Sequence, residues 1–152
     1  MTWYAHATVA VVVERDGRFL LVEEQVNQHT VLNQPAGHIE PNETFVQAAI
    51  RETLEETGWQ VKPAALLGIY AYSSPDNGIT YHRTCFIAEA ERHFPEQPLD
   101  EGIIAAKWMT PDEIMQRKAQ LRSPMVIRCI NDYLAGRAFP LDLITEMTIQ
   151  EN

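Results

Sequence analysis

The sequence contains only two cysteines, Cys85 and Cys129, and they do not form the closely spaced pair that metal or redox motifs use. We therefore predict that both are reduced core residues of a cytoplasmic protein. No apolar run approaches the roughly 20 residues that a membrane-spanning helix needs. The apolar stretch near the N-terminus follows no basic segment, so it predicts a strand rather than a signal peptide.

Basic residues are also scarce, because 12 Lys and Arg residues stand against 21 Asp and Glu residues and give a net charge of −9. Nonspecific binding to nucleic acid or to an anionic membrane needs basic surface, so we expect neither partner. A polyphosphate substrate would be repelled unless a cation intervened. The length of 152 residues and the 45% apolar content predict one globular domain, residues 1–152.

Strand and helix signals alternate along the chain. Asp16-Gly17 predicts a hairpin between strands at 8–13 and 19–22, and a helix predicted over 44–57 ends at Gly58. Further elements are predicted as strands over 66–72, 79–88 and 103–109, a polar loop over 91–102 and a last helix over 124–135. This order predicts an α+β domain with helices packed on the faces of a sheet.

The stretch RETLEETG, residues 51–58, places Glu52, Glu55 and Glu56 at i, i+3 and i+4 of the predicted helix. Like charges at this spacing destabilise a helix by roughly 0.2–0.5 kcal/mol per pair. The apolar residues predicted to face the core lie on the opposite side of the helix: Val46, Ile50 and Leu54, with Ala49 and Thr53 on the flank. The spacing alone is typical either of a solvated acidic face or of a divalent-cation site, since Mg²⁺ prefers oxygen ligands.

The residues around this cluster favour the divalent-cation site over the solvated acidic face. From Gly37 the sequence reads GHIEPNETFVQAAIRETLEETGW, residues 37–59. This segment resembles the Nudix box of the Nudix hydrolases in the spacing of its glycines, its arginine and its glutamates. Two residues depart from that pattern, because Thr53 stands where a bulky aliphatic residue is usual and Trp59 replaces the usual Ile, Leu or Val. Both departures affect packing more than chemistry.

The resemblance implies a Nudix fold, an αβα sandwich around a mixed β-sheet. It also implies these ligands for Mg²⁺ or Mn²⁺: Glu52, Glu55, Glu56 and the backbone carbonyl of Ala36. Gly37 suits the position after Ala36, because a residue without Cβ lets the backbone approach a ligand closely. Arg51 is expected to orient a box glutamate through an ion pair, and Glu43 is expected to be structural.

Hydrolysis at phosphorus follows from such a site. A divalent ion polarises a diphosphate, and a carboxylate accepts a proton from the attacking water. We expect Glu56 to be that base, with Glu55 as the second choice and Arg51 as the orienting residue. Asp100 and Glu101 are candidate bases outside the box, although solvation of a loop explains them as well.

Substrate contacts are expected from the box loop and from two arginines. Gly37 and His38 lie beside the predicted metal ligands, and Arg83 and Arg122 are candidate phosphate contacts. Arg122 comes just before a helix start, where backbone N–H groups favour anions. Aromatic residues that can stack on a base, or else pack in the core, are Trp3, Tyr4, Tyr72, Tyr81 and Phe86.

Three further stretches, VEEQVNQHTVLNQPAGHIEPNET, LRSP and FPLDLI, resemble the NudJ-type phosphatases of bacteria. That resemblance implies release of phosphate from small diphosphates: hydroxymethylpyrimidine and thiamine pyrophosphates and nucleoside di- or triphosphates. One alternative is a nucleoside-triphosphate, ADP-ribose or dinucleotide pyrophosphatase. Another is a Nudix-fold binding domain without catalysis, against which the intact glutamates argue. Nothing in the sequence distinguishes a monomer from a homodimer.

Overall fold

Seven strands and three α-helices make up residues 2–147, the part of the chain that the computed structural model describes. The strands are β1 (His6–Arg15), β2 (Arg18–Val26), β3 (His29–Asn33), β4 (Ala36–His38), β5 (Trp59–Ser73), β6 (Thr80–His93) and β7 (Ile103–Met109). The helices are α1 (Phe45–Thr57), α2 (Pro111–Gln116) and α3 (Met125–Leu134), with short 3₁₀ helices at Lys118–Gln120 and Leu141–Leu143.

The strands form one mixed sheet in the order β3-β2-β1-β6-β5, with β4 also paired to β1 and β7 also paired to β2. The β1–β6 pair is parallel, whereas the other strand pairs are antiparallel. The predicted hairpin after β1 is confirmed, and Asp16 and Gly17 both have positive φ, 52° and 78°. That combination fits the tight turn whose twist matches the flanking strands.

Helices cover both faces of the sheet, as the αβα expectation requires. Six consecutive residues of β1 are buried, which is typical of a strand covered on both sides. Val9 and Val11 pack in one core with Ala48 of α1. Ala10 packs in the other core with Cys129 of α3. The predicted α+β sandwich around a mixed sheet is therefore confirmed.

The predicted core face of α1 is correct only on its flank, because Ala49 and Thr53 are fully buried whereas Val46, Ile50 and Leu54 are half-buried. The other fully buried residues of the helix are Ala48 and Thr57. Small side chains let a helix approach a sheet closely, and the Thr53 hydroxyl is satisfied by donating to the Ala49 carbonyl at 2.7 Å. This explains Thr53 in the box, and it turns the glutamates towards the strands instead of away from them.

Two predicted boundaries also change. Strand β5 begins at Trp59, directly after the positive-φ residue Gly58, and β6 runs to His93, so the loop is shorter than residues 91–102. The extension comes from a cross-strand contact, because Trp59 and His93 are register partners and stack with ring centroids 4.5 Å apart. The sequence does not predict the start of β5, because Pro63 and several register shifts interrupt the pattern of a regular strand.

The N-terminal end of α1 is closed by specific contacts. Thr44 caps the helix and forms a reciprocal pair with Gln47. The Glu146 carboxylate accepts from the Phe45 and Val46 backbone N–H groups, so a negative charge lies at the positive end of the helix. The C-terminal segment and the helix start therefore hold α1 in a fixed place beside the sheet.

Cys85 and Cys129 are free and buried, as predicted. Within residues 2–147, none of the helices has the length and apolar character required to cross a membrane.

Candidate active site

Arg51 is the centre of an ion-pair network at the middle of α1. Its Nε and Nη2 donate to the two Glu43 carboxylate oxygens at 2.6 and 2.9 Å. Its Nη1 donates to Glu52 at 2.9 Å and to Glu55 at 3.1 Å, and Nη2 also reaches the His38 carbonyl at 3.1 Å. The bond from Arg51 lowers the pKa of Glu43. Arg51 therefore fixes two box glutamates relative to the loop around His38.

Three carboxylates converge beside this arginine. Oxygen atoms of Glu52, Glu55 and Asp100 all lie within 4.8 Å of one another. Asp100 reaches the cluster because its backbone N–H donates to the Glu55 carbonyl at 3.0 Å, and Gln97 of the same loop donates to the Leu54 carbonyl at 3.1 Å. Oxygen donors of this kind suit a hard divalent cation.

Gly37 forms the wall against which the Glu52 carboxylate rests. A Cβ built on Gly37 would lie 2.1–2.5 Å from the three carboxylate atoms of Glu52, a distance that no real contact tolerates. The absence of a side chain at this position thus leaves the space that Glu52 occupies. The donor set and this space fit a divalent ion.

Glu56 has a different environment from the other two box glutamates. Its Oε1 accepts from the Ala36 backbone N–H at 2.9 Å. Burial raises the pKa of Glu56 to about 8; the Ala36 N–H opposes this shift, while the negative charges of Glu52, Glu24 and Asp100 add to it. Burial also raises the pKa of Glu52. In the ion-free protein, Glu56 can therefore hold a proton near neutral pH.

A cavity of about 940 Å³ opens next to Glu56. It is lined by Ala36 and by all four predicted substrate contacts: Gly37, His38, Arg83 and Arg122. Arg83 is 7% exposed, and burial lowers its pKa. Arg122 is held over the edge of β3 by its backbone N–H, which donates to the Leu32 carbonyl at 2.8 Å, and its Nη1 donates to Glu24 at 3.3 Å.

The aromatic candidates separate into three groups. Tyr72 and Tyr81 line the cavity. Phe86 is fully buried in the core on the α1 side, so of the two roles considered for it the structure supports core packing and excludes stacking on a base. Trp3 and Tyr4 are exposed, and Tyr4 stacks on His6, whose Nδ1 lies 3.0 Å from His38 Nε2.

Glu24 on β2 and Thr8 on β1 are among the polar residues of the cavity that sequence reasoning missed. That reasoning treated Asp100 only as a candidate base, although the structure places it with the box glutamates. Glu101, the other loop candidate, is exposed and lies outside that group. The position of each of these residues depends on strand register or on loop docking, for which no local pattern exists.

A sequence model of the NUDIX domain matches residues 3–129, which is most of the chain. The chain belongs to the Nudix family. The chain is 42% identical to a protein named Phosphatase NudJ from Escherichia coli K12 over 139 residues, which cover 91% of this chain and 90% of that protein. A protein of the same name from Shigella flexneri matches with the same identity and coverage.

Solved structures agree with this assignment. A NUDIX hydrolase from Nitrosomonas europaea superposes with a TM-score of 0.93 at 44% identity, covering 95% of this chain and 98% of that one. A MutT NUDIX hydrolase from Burkholderia pseudomallei shares the fold, with a TM-score of 0.72 at 21% identity over 86% of this chain and 98% of that one. The protein is therefore a Nudix hydrolase, an enzyme, as the box implied.

In this Nudix hydrolase the box runs from β4 through α1 to the first residue of β5. Nudix hydrolases generally use a divalent metal ion, and the carboxylates of Glu52, Glu55 and Asp100 are the candidate place for it. The boundaries of the predicted single domain, residues 1–152, stay a prediction.

Gly37→Ala is expected to weaken divalent-ion binding at least tenfold, because the new Cβ displaces the Glu52 carboxylate. The displaced group is the end of a flexible side chain, so the melting temperature should stay close to that of the wild type. Calorimetric titration with Mn²⁺ measures the first effect, and thermal unfolding in EDTA measures the second. Wild-type affinity in this variant would show that the space beside Gly37 is not needed for the ion.

Glu56 is expected to make the ion-free protein less stable as the pH rises. Its pKa is raised from 4.5 to about 8 in the folded state, so between these values the folded protein binds a proton that the unfolded chain has lost. The part of the free energy of unfolding that depends on Glu56 is therefore fully present below pH 4.5 and is lost as the pH rises through about 8. Urea unfolding in EDTA should show this loss for the wild type and not for Glu56→Gln. Parallel pH profiles for the two proteins would contradict the raised pKa.

Proposed function

We propose that this Nudix hydrolase is a Mg²⁺-dependent phosphatase of small diphosphate compounds. The proposed reaction releases orthophosphate from pyrimidine and thiamine pyrophosphates and from nucleoside di- or triphosphates. The observation that carries the proposal is the 42% identity, over 91% of the chain, to a protein named as a phosphatase. A small-molecule substrate also fits a cavity of about 940 Å³, which lies within the usual size range of ligand pockets.

The proposed ligands of the ion are Glu52, Glu55, Glu56 and the Ala36 carbonyl. Asp100 is added to them, because its carboxylate lies with those of Glu52 and Glu55. Mg²⁺ is the proposed ion, because a site of carboxylates and a backbone carbonyl offers oxygen alone, and Mn²⁺ is expected to replace it. When bound, such an ion neutralises the diphosphate and makes its phosphorus easier to attack.

Arg51 is proposed to position the carboxylates. Its guanidinium holds Glu52 and Glu55 from one side and is itself fixed by both oxygens of Glu43. A planar guanidinium can bind several carboxylates at once, which a lysine ammonium does less well. The expected consequence is that the box glutamates are preorganised before substrate arrives.

Glu56 is the proposed general base. Its carboxylate lines the cavity, where it can accept a proton from the attacking water. Glu55 is the second choice, since its side chain is committed to Arg51. Asp100 stays the candidate outside the box, because it lies with Glu52 and Glu55.

Arg83, Arg122 and His38 are proposed to receive the phosphate groups at the wall of the cavity. The chain carries a net charge of −9, so the two arginines and the ion together must offset the repulsion of an anionic substrate, while burial lowers the pKa of His38 and favours its neutral form. Tyr72 and Tyr81 line the same cavity and are the remaining candidates for stacking on an aromatic ring.

The second candidate function is cleavage of an internal bond, as in a nucleoside-triphosphate, ADP-ribose or dinucleotide pyrophosphatase. The size of the cavity supports this second candidate function, because a cavity of about 940 Å³ also admits a nucleotide. The binding-domain alternative is set aside, since the chain is a Nudix hydrolase. A cytoplasmic location, the absence of a nucleic-acid or membrane partner and the choice between monomer and homodimer stay predictions from the sequence.

Product analysis separates the two reactions. With Mg²⁺, the wild type should release orthophosphate from thiamine pyrophosphate and from nucleoside diphosphates, as measured by a phosphate-release assay and by ³¹P NMR of the products. Glu56→Gln is the matched control, and loss of the base and of one ligand oxygen should lower its turnover by about a thousandfold or more.

Two results would overturn this proposal. Release of two monophosphates from ADP-ribose, with no orthophosphate from the diphosphates, would favour internal cleavage. Unchanged turnover in a folded Glu56→Gln protein would remove Glu56 both as base and as an essential ligand.

A further inference from the structure

Two residues that line the cavity each have a buried side-chain atom without a hydrogen-bond partner. In the described residues, 2–147, the buried side-chain nitrogen and oxygen atoms left without a partner are Thr8 Oγ1 and Arg83 Nε. Thr8 is 4% exposed and Arg83 is 7% exposed, and both line the cavity beside Glu56. Proteins satisfy nearly all such atoms, so two unsatisfied ones in one cavity indicate a ligand that completes them.

The sheet places these two residues side by side. Thr8 on β1 and Arg83 on β6 are register partners in the parallel pair. Residues at the same level of neighbouring strands point to the same face of a sheet. The hydroxyl and the guanidinium therefore belong to one patch of the cavity wall, and each has an unused donor.

Gln34 is the one side chain that bonds to Arg83 in the described residues. Arg83 Nη1 donates to Gln34 Oε1 at 3.3 Å, while Gln34 Nε2 donates to the Cys85 sulfur at 3.8 Å. Gln34 is itself 2% exposed. Arg83 takes part in none of the ion pairs of residues 2–147. A buried guanidinium is thus held by a neutral amide and makes no ion pair with a carboxylate of residues 2–147, although the charge of the nearby Glu56 also acts on it.

We propose that Thr8 Oγ1 and the Arg83 guanidinium form a subsite for anionic phosphate oxygens of the substrate, with Gln34 as the residue that positions Arg83. The proposal rests on the proposed function and adds Thr8 and Gln34 to it. The Thr8 hydroxyl donates one hydrogen bond to a phosphate oxygen, and the guanidinium donates a charge-assisted one. The neutral amide of Gln34 fixes the guanidinium and leaves its charge for the ligand, which a carboxylate at this position would not do.

Thr8→Val tests the hydroxyl. The probe is methylenediphosphonate, a diphosphate analogue with a P–C–P link, titrated calorimetrically into the full chain with Mg²⁺. Loss of one bond to a charged oxygen should weaken its binding about tenfold. The melting temperature of the ligand-free protein should be unchanged or higher, because the variant removes a buried hydroxyl that had no partner.

Thr84→Val is the matched control. Thr84 is 5% exposed on the same strand as Arg83, but as the next residue it points to the opposite face of the sheet. Its variant should bind the diphosphonate like the wild type. Wild-type affinity in Thr8→Val, which is the result expected if water alone fills the subsite, would overturn the proposal. So would equal weakening in both threonine variants.

Gln34→Glu tests the positioning role. A carboxylate at this position should pair with Arg83, raise the KM for thiamine pyrophosphate about tenfold and change kcat much less. Diphosphonate binding should weaken by a similar factor while the melting temperature does not fall. A fall in melting temperature with unchanged diphosphonate affinity would show that Gln34 is only structural.

The binding experiments do not depend on which bond the enzyme cleaves. If the product analysis shows internal cleavage but Thr8→Val still weakens diphosphonate binding, the phosphatase proposal fails and the subsite stands. If orthophosphate is released and Thr8→Val binds like the wild type, the subsite fails and the phosphatase proposal stands.

Discussion

The mutual repulsion of carboxylates on one face of α1 is the constraint around which this molecule is arranged. Glu52 and Glu55 lie with Asp100 within 4.8 Å, and a single guanidinium, that of Arg51, contacts the first two. One positive charge does not balance three negative ones in a half-buried place. A divalent cation would balance them, and in a chain with a net charge of −9 it would also reduce the repulsion of a polyanionic substrate.

The fold supports this cluster from several sides. The small residues of α1 bring the helix close to the sheet, and Gly37 on β4 leaves room for the Glu52 carboxylate. The loop after β6 is bonded to α1 and carries Asp100. The parallel pairing of β1 with β6 sets Arg83 into the wall of the cavity beside Glu56, so this box glutamate and the basic residues face one space.

The box residues could be predicted because their spacing is local. One helical turn brings Glu52, Glu55 and Glu56 together, and a glycine beside the ligands is visible in the sequence itself. The rotation of α1 could not be predicted, because it depends on how closely Ala48 and Ala49 approach the sheet, which is a tertiary property. The role of Phe86 depends on which face of β6 each residue occupies, and the four consecutive buried residues 83–86 give no alternation that would indicate it. The place of Thr8 beside Arg83 could not be predicted either, because it depends on the register between β1 and β6, which are far apart in sequence.

The most direct test of this account is anomalous diffraction from crystals of the protein grown with Mn²⁺ and methylenediphosphonate. The account predicts a manganese peak between the carboxylates of Glu52 and Glu55, with phosphonate oxygens among its ligands. Fully ordered carboxylates that point into solvent with no peak between them, while diphosphonate occupies the cavity, would contradict it.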